Sequence, residues 1–376
     1  MTEYTNDVLI IGGGPAGAAA ALSLLQYGKD LDVSIVELTD FDFERIGEHV
    51  SLAIFDLIDY LQIDRKAFGP DCFLPSYGHT TYWGMDLPVM RDAVFTTAGN
   101  SYQLDRLQFD ITLLEQVAAR GGHVFPNMRC KQFLQDADGS WKVVVRHRDK
   151  GEFTFRTRFL VDATGRKASV CRQIGVPTEK TDKLLGVGAR VVFKGRPALA
   201  QEVMLETVEN GWWYSATLAR DTRTMIFFSD ADIISQQRLH TVDGWIDTMQ
   251  QSKHLKELLQ GAEKIDEVWL RSAHSQFAQL AGRTGFIAIG DAAVAFDPVS
   301  SMGVGFALTS ACQAASVILG ELAAPDPQRI KTYQSDLERH FYQYMDLRRR
   351  IYQQEKRWPE SAFWQRRQAG LAEMVP

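Results

Sequence analysis

Val8-Leu9-Ile10-Ile11-Gly12-Gly13-Gly14-Pro15-Ala16-Gly17-Ala18-Ala19-Ala20-Ala21 is the stretch that decides the fold. A short apolar run with β-branched residues predicts a buried strand, the glycines a tight turn, and the alanines a helix. Gly12, Gly14 and Gly17 satisfy the G-x-G-x-x-G pattern between a strand and a helix, where its mechanism needs it. Gly12 permits the turn, Gly14 lets a pyrophosphate approach the backbone, and Gly17 lets the helix lie close to the strand. Pro15 and Ala16 open that helix, whose amino end presents partial positive charge to the phosphates. The run Val33-Ser34-Ile35-Val36 predicts a second strand that ends at Glu37, twenty residues past Gly17, with Leu38 beside it. A carboxylate there accepts hydrogen bonds from an adenosine ribose and disfavours a 2′-phosphate. The segment therefore predicts a dinucleotide site, with NAD and FAD both open.

Outward from this start, residues 7–38 read as a parallel βαβ unit. Residues 104–128 predict a helix closed by Gly121-Gly122 and then a short strand. Stretches 141–146 and 153–161 predict a hairpin feeding the same sheet. Between 184 and 277 the texture changes to runs rich in β-branched and aromatic residues, at 188–193, 202–207, 212–218, 224–228 and 268–277, with one helix near 236–260. Gly285-Phe-Ile-Ala-Ile-Gly290 returns to the first domain as a buried strand, followed by a helix from about Gly303. After Pro327 the pattern is helical. There Leu337, Phe341, Tyr344, Met345, Leu347 and Ile351 share one stripe, and Arg348-Arg349-Arg350 reads as a solvated face.

The expected architecture is α/β. A nucleotide-binding domain (1–70, 101–183 and 278–325) is interleaved with a substrate domain on an antiparallel sheet (71–100 and 184–277), and a C-terminal helical segment covers 326–376. A chain of 376 residues, 45% hydrophobic, can bury two such cores. Its net charge of -6, with acidic and basic residues interspersed, gives no footprint for nucleic acid. The polar start and the shortness of the first apolar run predict a cytoplasmic chain with no membrane partner. Cys72, Cys130, Cys171 and Cys312 lie far apart with no C-x-x-C pair, so neither a metal site nor a disulfide framework is expected.

Three further segments carry a resemblance. Arg45-Ile46-Gly47-Glu48, Asp162-Ala163-Thr164-Gly165 and Gly290-Asp291 with Asp297-Pro298 match, in order and separation, segments of group A flavin hydroxylases and flavin halogenases. The likeness spans most of residues 5–315. It implies a Rossmann-type, glutathione-reductase-like domain and selects FAD. It places Arg45 and Glu48 after the second strand, Asp162 and Gly165 in a second glycine turn, and Gly290, Asp291 and Pro298 in the ribityl-binding segment. Asp291 would meet the ribityl hydroxyls, while Met302 and Gly303 flank the ring. Backbone amides from Ser301 to Val304 would stabilise negative charge on the reduced flavin. Arg106 matches an arginine that reaches the cofactor.

The same resemblance implies an oxidoreductase that uses reduced flavin and dioxygen to put oxygen on an electron-rich ring. Flavin halogenases are similar through 78–83 and 211–214. They require a lysine where this chain has Ser76 and a glutamate where it has Ser300, and their W-x-W-x-I-P signature is altered to Trp212-Trp213-Tyr214-Ser215-Ala216-Thr217. Halogenation is therefore disfavoured. Hydroxylation asks less of the side chains, and His49 and His79, each beside a matched segment, are the candidate proton carriers. Tyr77, Tyr82, Trp83, Trp212, Trp213 and Tyr214 are candidates to line an aromatic-accepting pocket, with Trp213 favoured to touch substrate. The compact length, the Gly211-Trp-Trp-Tyr-Ser215 segment and both missing halogenase residues resemble the LodB/GoxB group, flavoproteins that assist tryptophylquinone formation in amino-acid oxidases. That likeness implies an FAD monooxygenase whose partner is the precursor of such an oxidase, with NAD(P)H or a separate flavin reductase as electron donor. A hydroxylase of a free aromatic compound and a non-catalytic maturation chaperone are the alternatives.

Overall fold

The computed structural model describes residues 2–41, 49–92, 101–193, 201–218, 221–280 and 283–368, which build four sheets and nine helices, numbered in chain order. In the first sheet β8 (His123–Phe125), β2 (Val33–Val36), β1 (Thr2–Ile11), β11 (Gly151–Asp162), β10 (Trp141–His147) and β9 (Met128–Gln135) follow one another, and β20 (Phe286–Ala288) pairs with β11. Strands β8, β2, β1, β11 and β20 are parallel, and β9 and β10 form an antiparallel wing. Val8 to Ile11 are buried because helices cover the sheet: α1 (Pro15–Tyr27) packs along α3 (Arg106–Ala119) and α7 (Gly303–Ala323). The methyl side chains of Ala18 to Ala21, all fully buried, let α1 approach closely. Helix α7 alone among those described is long and apolar enough to cross a membrane.

Register positions the site. Ile11 pairs with Val36 on one side and Asp162 on the other, and Asp162 pairs with Ala288. The carboxyl ends of β2, β1, β11 and β20 therefore stop at one level, and Glu37, the Gly12 turn, the Gly165 turn and Gly290 all emerge into one crevice, where open α/β sheets bind ligands.

The second sheet runs β17 (Lys264–Ile265), β13 (Leu184–Val192), β16 (Thr222–Asp230), β15 (Gly211–Leu218), β14 (Glu202–Val208), β5 (Gly78–Tyr82), β6 (Val89–Asp92), with β18 (Trp269–Ser272) beside β13. One face packs Trp213, Met225 and Phe227 against Trp245 and Met249 of α6 (Val242–Gln250). The opposite face packs Trp212, Ile226 and Phe228 against Tyr352 of α8 (Pro327–Tyr352) and Phe363 and Trp364 of α9 (Ala362–Gln368). Two three-stranded sheets join the halves: β3 (His49–Ser51), β7 (Ser101–Leu104) and β4 (Phe73–Ser76), and β12 (Thr178–Lys180), β19 (Gln276–Ala278) and β21 (Val294–Ala295).

Three sequence expectations change. The single helix near 236–260 is α5 (Ala231–Gln236), α6 and a 3-10 turn at Leu255–Leu259, because Arg238 takes a left-handed φ of 54° and Thr241 recaps the chain by accepting from Gly244 N. The run 268–277 is two strands in different sheets, with Ser275 between them bonded to Asp182 and Tyr344. The arginine cluster is not a solvated face: Arg348 is buried, and Leu347 takes the exposed place. Helical spacing lines Arg348 up with Phe341, Tyr344, Met345 and Tyr352.

Arg348 donates from Nη2 to Asp182 Oδ2 (3.0 Å) and from Nε to Asp297 Oδ2 (3.1 Å). Burial pushes the Asp182 carboxyl up, but Arg348, Arg367 and two backbone N–H donors bring it below the usual range. Replacing Arg348 with Met leaves two buried carboxylates facing each other, and should destabilise the protein by roughly 3–5 kcal/mol. The same change at Arg350 should cost less than about 0.5 kcal/mol. Urea unfolding of the two variants checks this contrast.

Candidate active site

The first turn is closed by contacts only glycine allows. Gly12 has φ +113°, and a Cβ there would stand 2.3 Å from the Ala163 carbonyl oxygen; a Cβ on Gly17 would stand 2.0 Å from the Gly12 oxygen. Gly290 (φ +55°) sits where a Cβ would meet Ala16 Cβ at 2.9 Å and Ala307 Cβ at 3.6 Å. The first glycine turn, the second turn, Gly290 and α7 are thus packed around one crevice. Gly14 caps α1 without a side-chain acceptor and Pro15 occupies its first turn, so the amides there are left to meet a phosphate. Glu37 is held at the crevice edge: Oε2 accepts from Gly13 N (2.7 Å), and Oε1 from Thr39 N (3.0 Å) and Thr39 Oγ1 (2.7 Å). Leu38 beside it is half exposed.

At the second turn Asp162 is fully buried. Oδ1 accepts from Thr164 N and Oγ1, and Oδ2 from Cys171 N, while burial pushes its pKa up against those bonds. Asp162 therefore shapes the turn from behind rather than reaching into the crevice, and Gly165 (φ +64°) beyond it has open space around its Cα. Asp291 does face the crevice, 27% exposed, with Oδ2 held 3.1 Å from Arg166 Nε. Arg166 is anchored by donating to the His274 and Phe296 carbonyls, both at 2.6 Å. Arg106 at the start of α3 is clamped to Asp110 by two bonds of 3.2 and 3.0 Å. Arg45 and Glu48 lie outside the described residues.

Pro298 begins a 3-10 turn capped by Asp297, whose Oδ1 accepts from Val299 N; Ser301 then takes φ +52°, and Met302 caps α7 ahead of Gly303 and Val304. Among the described residues outside the helix's own neighbouring backbone, nothing lies within 4 Å of a Cβ built on Gly303 or Gly305. That open bed in front of the Gly303 and Val304 amides at the start of α7 fits a flavin ring, as the Gly12 cradle fits a pyrophosphate. The residues that would hold FAD are the Gly12–Gly17 turn, Glu37, Asp291 and the Gly303 and Val304 amides; the Ser301 amide donates instead to the Pro298 carbonyl and the Met302 amide to Ser300 Oγ, which narrows the expected 301–304 set. When bound, FAD supplies the redox chemistry.

Two histidines thirty residues apart meet at the boundary between the domains. His49 Nε2 lies 3.3 Å from His79 Nε2, and His79 Nε2 lies 2.8 Å from Ser101 Oγ. Burial first, and the neighbouring His79 second, hold His49 down to about 4, so it is neutral near pH 7. Cross-strand pairing puts His49, Gln103, Ser101 and Ser76 on one face of the small sheet. The other face, with Phe73 and Tyr102, packs on Phe55 and Phe109.

The aromatic set divides. Trp213, favoured from sequence to touch substrate, is fully buried on the α6 face between Phe227 and Trp245, and this corrects that expectation. Alternation showed that Trp212 and Trp213 point oppositely, but not which face met the flavin. Trp212 is also core, donating to Tyr352 Oη, and Trp83 donates to the Ile351 carbonyl. Tyr82 stacks on His254. Tyr214 remains half-buried beside the small sheet, with its hydroxyl 3.4 Å from Gln103 Oε1, and Tyr77 is exposed. Ser76 is fully buried, and Ser300 donates to the Asp297 carbonyl. Sequence reading missed Ser101, Gln103, Arg166 and Arg348. Of these only Arg166, directly after the Gly165 turn, carried a local signal.

A crevice shaped for FAD between a parallel sheet and an antiparallel one defines the class, an FAD-dependent oxidoreductase. The family described as FAD binding domain matches residues 5–347, and this chain belongs to it. The chain is closely related to LodB of Marinomonas mediterranea, a protein named as an FAD-dependent oxidoreductase, at 41% identity over 373 residues and 98% of each chain. Two solved structures share the fold. One is the flavin-dependent halogenase CmlS (TM-score 0.85, 24% identity, 100% of this chain and 69% of that one). The other is QhpG, described as a peptidyl tryptophan dihydroxylase essential for tryptophylquinone cofactor biogenesis (TM-score 0.79, 23% identity, 98% and 79%).

A side chain at Gly303 has open space at its Cβ among the described residues, so Gly303→Val should leave the stability of the flavin-free protein within about 0.5 kcal/mol. It should nevertheless cut FAD affinity at least tenfold, read from flavin absorbance after reconstitution. A second prediction concerns acid. With a folded value near 4 against an ordinary 6.5, His49 binds its proton first in the unfolded chain. The stability tied to its neutrality is complete above pH 6.5 and is lost as pH falls toward 4, by up to roughly 3 kcal/mol. In His49→Gln the urea midpoint should lose that part of its pH dependence.

Proposed function

We propose that this enzyme inserts oxygen into the indole ring of a tryptophan carried by a precursor polypeptide, as a step toward a tryptophylquinone in an amino-acid oxidase. The observation that carries the reading is Ser76. Where a halogenase would need a lysine to direct its oxidant, this chain places a short hydroxyl, fully buried on the polar face of the small sheet. Without that amine, the architecture suits direct oxygen transfer, in which the site need only orient an electron-rich ring, shield it from water and move protons. The full-length fold shared with QhpG, whose description names peptidyl tryptophan, and the identity to LodB support the substrate class.

In this reading the Gly12 turn, Glu37 and Asp291 hold the cofactor, and the α7 amides face its ring. Tyr214 flanks the incoming indole, and His49 and His79 handle protons. Electrons come from NAD(P)H or from a separate flavin reductase, since the sequence has only one dinucleotide fingerprint.

Co-expression with a candidate oxidase precursor should add the mass of one or more oxygen atoms to a tryptophan peptide, seen by peptide mass spectrometry. Omitting this protein should abolish the addition. Conversion of free indoles with an unmodified precursor would replace this reading by a small-molecule hydroxylase.

A further inference from the structure

We infer that Arg166 is a positioning residue for the cofactor seat: it grips one oxygen of Asp291 and so presents the other as the acceptor for a polyol chain, the part of FAD that ADP lacks. This role concerns cofactor binding and stands apart from the oxygen-insertion reading above. A guanidinium and a carboxylate often meet fork to fork, through two parallel N–H···O bonds that occupy both carboxylate oxygens. Here they meet at one point. Arg166 Nη1 donates to the His274 carbonyl and Nη2 to the Phe296 carbonyl, each at 2.6 Å, and it is Nε that meets Asp291, 3.1 Å from Oδ2. Asp291 Oδ1 has no partner among the described residues, and the side chain stays 27% exposed.

The backbone of Asp291 is held as well. Gln276 Nε2 donates to the Asp291 carbonyl at 2.9 Å, which leaves Gln276 Oε1 to accept from His274 Nε2, also at 2.9 Å. Burial holds His274 below its ordinary value, so near pH 7 its ring is neutral and its one N–H is the proton that Gln276 accepts. His274 thus serves both anchors, Arg166 through its carbonyl and Gln276 through its ring. Two segments distant in sequence, one after the second glycine turn and one at β19, fix the side chain and the backbone of the same residue.

Position gives that fixed oxygen its use. Gly290 packs against Ala16 in the first turn of α1, so Asp291 stands one residue from the pyrophosphate cradle. The Gly12 turn and Glu37 suit the pyrophosphate and the adenosine ribose, which FAD and ADP share. Asp291 is the acceptor left for what lies beyond the phosphates. A carboxylate whose plane is already set loses no rotamer freedom when a hydroxyl arrives, and such preorganisation raises affinity without adding a contact.

Titration of the full-length, flavin-stripped chain with FAD and with ADP tests this. Arg166→Gln should bind FAD about tenfold more weakly and ADP within about twofold of wild type. In an Asp291→Ala background, adding Arg166→Gln should change FAD affinity by less than about twofold, since a residue that acts through Asp291 then has nothing to position. Unchanged FAD affinity in Arg166→Gln overturns the proposal. Equal losses for FAD and ADP also overturn it, because they are the mark of a second glycine turn that has collapsed, and so do losses that multiply in the double variant. Should Arg166→Gln not fold, Arg166→Lys keeps a cation beside Asp291 without the fork that reaches both carbonyls. It should weaken FAD by about three- to tenfold and leave ADP unchanged, and equal losses for the two ligands again reject the role.

Discussion

The rest of the structure depends on four parallel strands ending at the same level. Val36 pairs with Ile11, Ile11 with Asp162 and Asp162 with Ala288, so the turns that follow them are forced into van der Waals contact. Contact at that range excludes side chains. Gly12 lies against the Ala163 carbonyl, Gly17 against Gly12, and Gly290 against Ala16. Where the turns meet, backbone N–H groups and helix ends rather than side chains therefore line the crevice, and such a lining binds phosphate and stabilises a reduced ring without titrating. Shift one strand by a residue, and Glu37 or Asp291 leaves the site.

A second layer ties this crevice to the substrate sheet through α8. Asp297 caps the turn that leads into α7, and three of its partners come from α8: Tyr344 Oη accepts from its backbone N–H, and Arg348 and Tyr352 donate to Oδ2. Tyr352 Oη also accepts from Trp212 of the substrate sheet, and Arg348 also holds Asp182 at the entrance to β13. Each ion here is costly to bury alone, so the network makes the relative placement of the two sheets specific, because misplacing either strands a charge. The C-terminal helices thus act as a clamp, with Arg367 gripping Asp230 of β16 in the same way.

Much of the cofactor half was legible from residue order because its logic is local. The strand, turn and helix of 8–21 each declare themselves within a few residues, and Glu37 falls at a spacing that the βαβ geometry dictates. Asp162 shows the limit of that legibility. Its place in a matched turn was readable, but its inward direction, onto Thr164 and Cys171, depends on how the turn folds back. Arg348 was misread as surface for a similar reason: charge predicts exposure unless a partner is buried with it, and both partners lie far away in sequence.

Sequence by itself determined the nucleotide fold, since that is a property of residue type at fixed local spacing, and the resemblance of its motifs to a known family selected FAD and set Ser76 where a halogenase has its lysine. Only the tertiary structure decided which aromatic residues face the crevice, burying Trp213 and leaving Tyr214 beside Gln103, and brought His49 within 3.3 Å of His79. Those facts depend on which face of a strand turns toward which neighbour. Alternation along a strand separates the two faces but carries no information about what covers each.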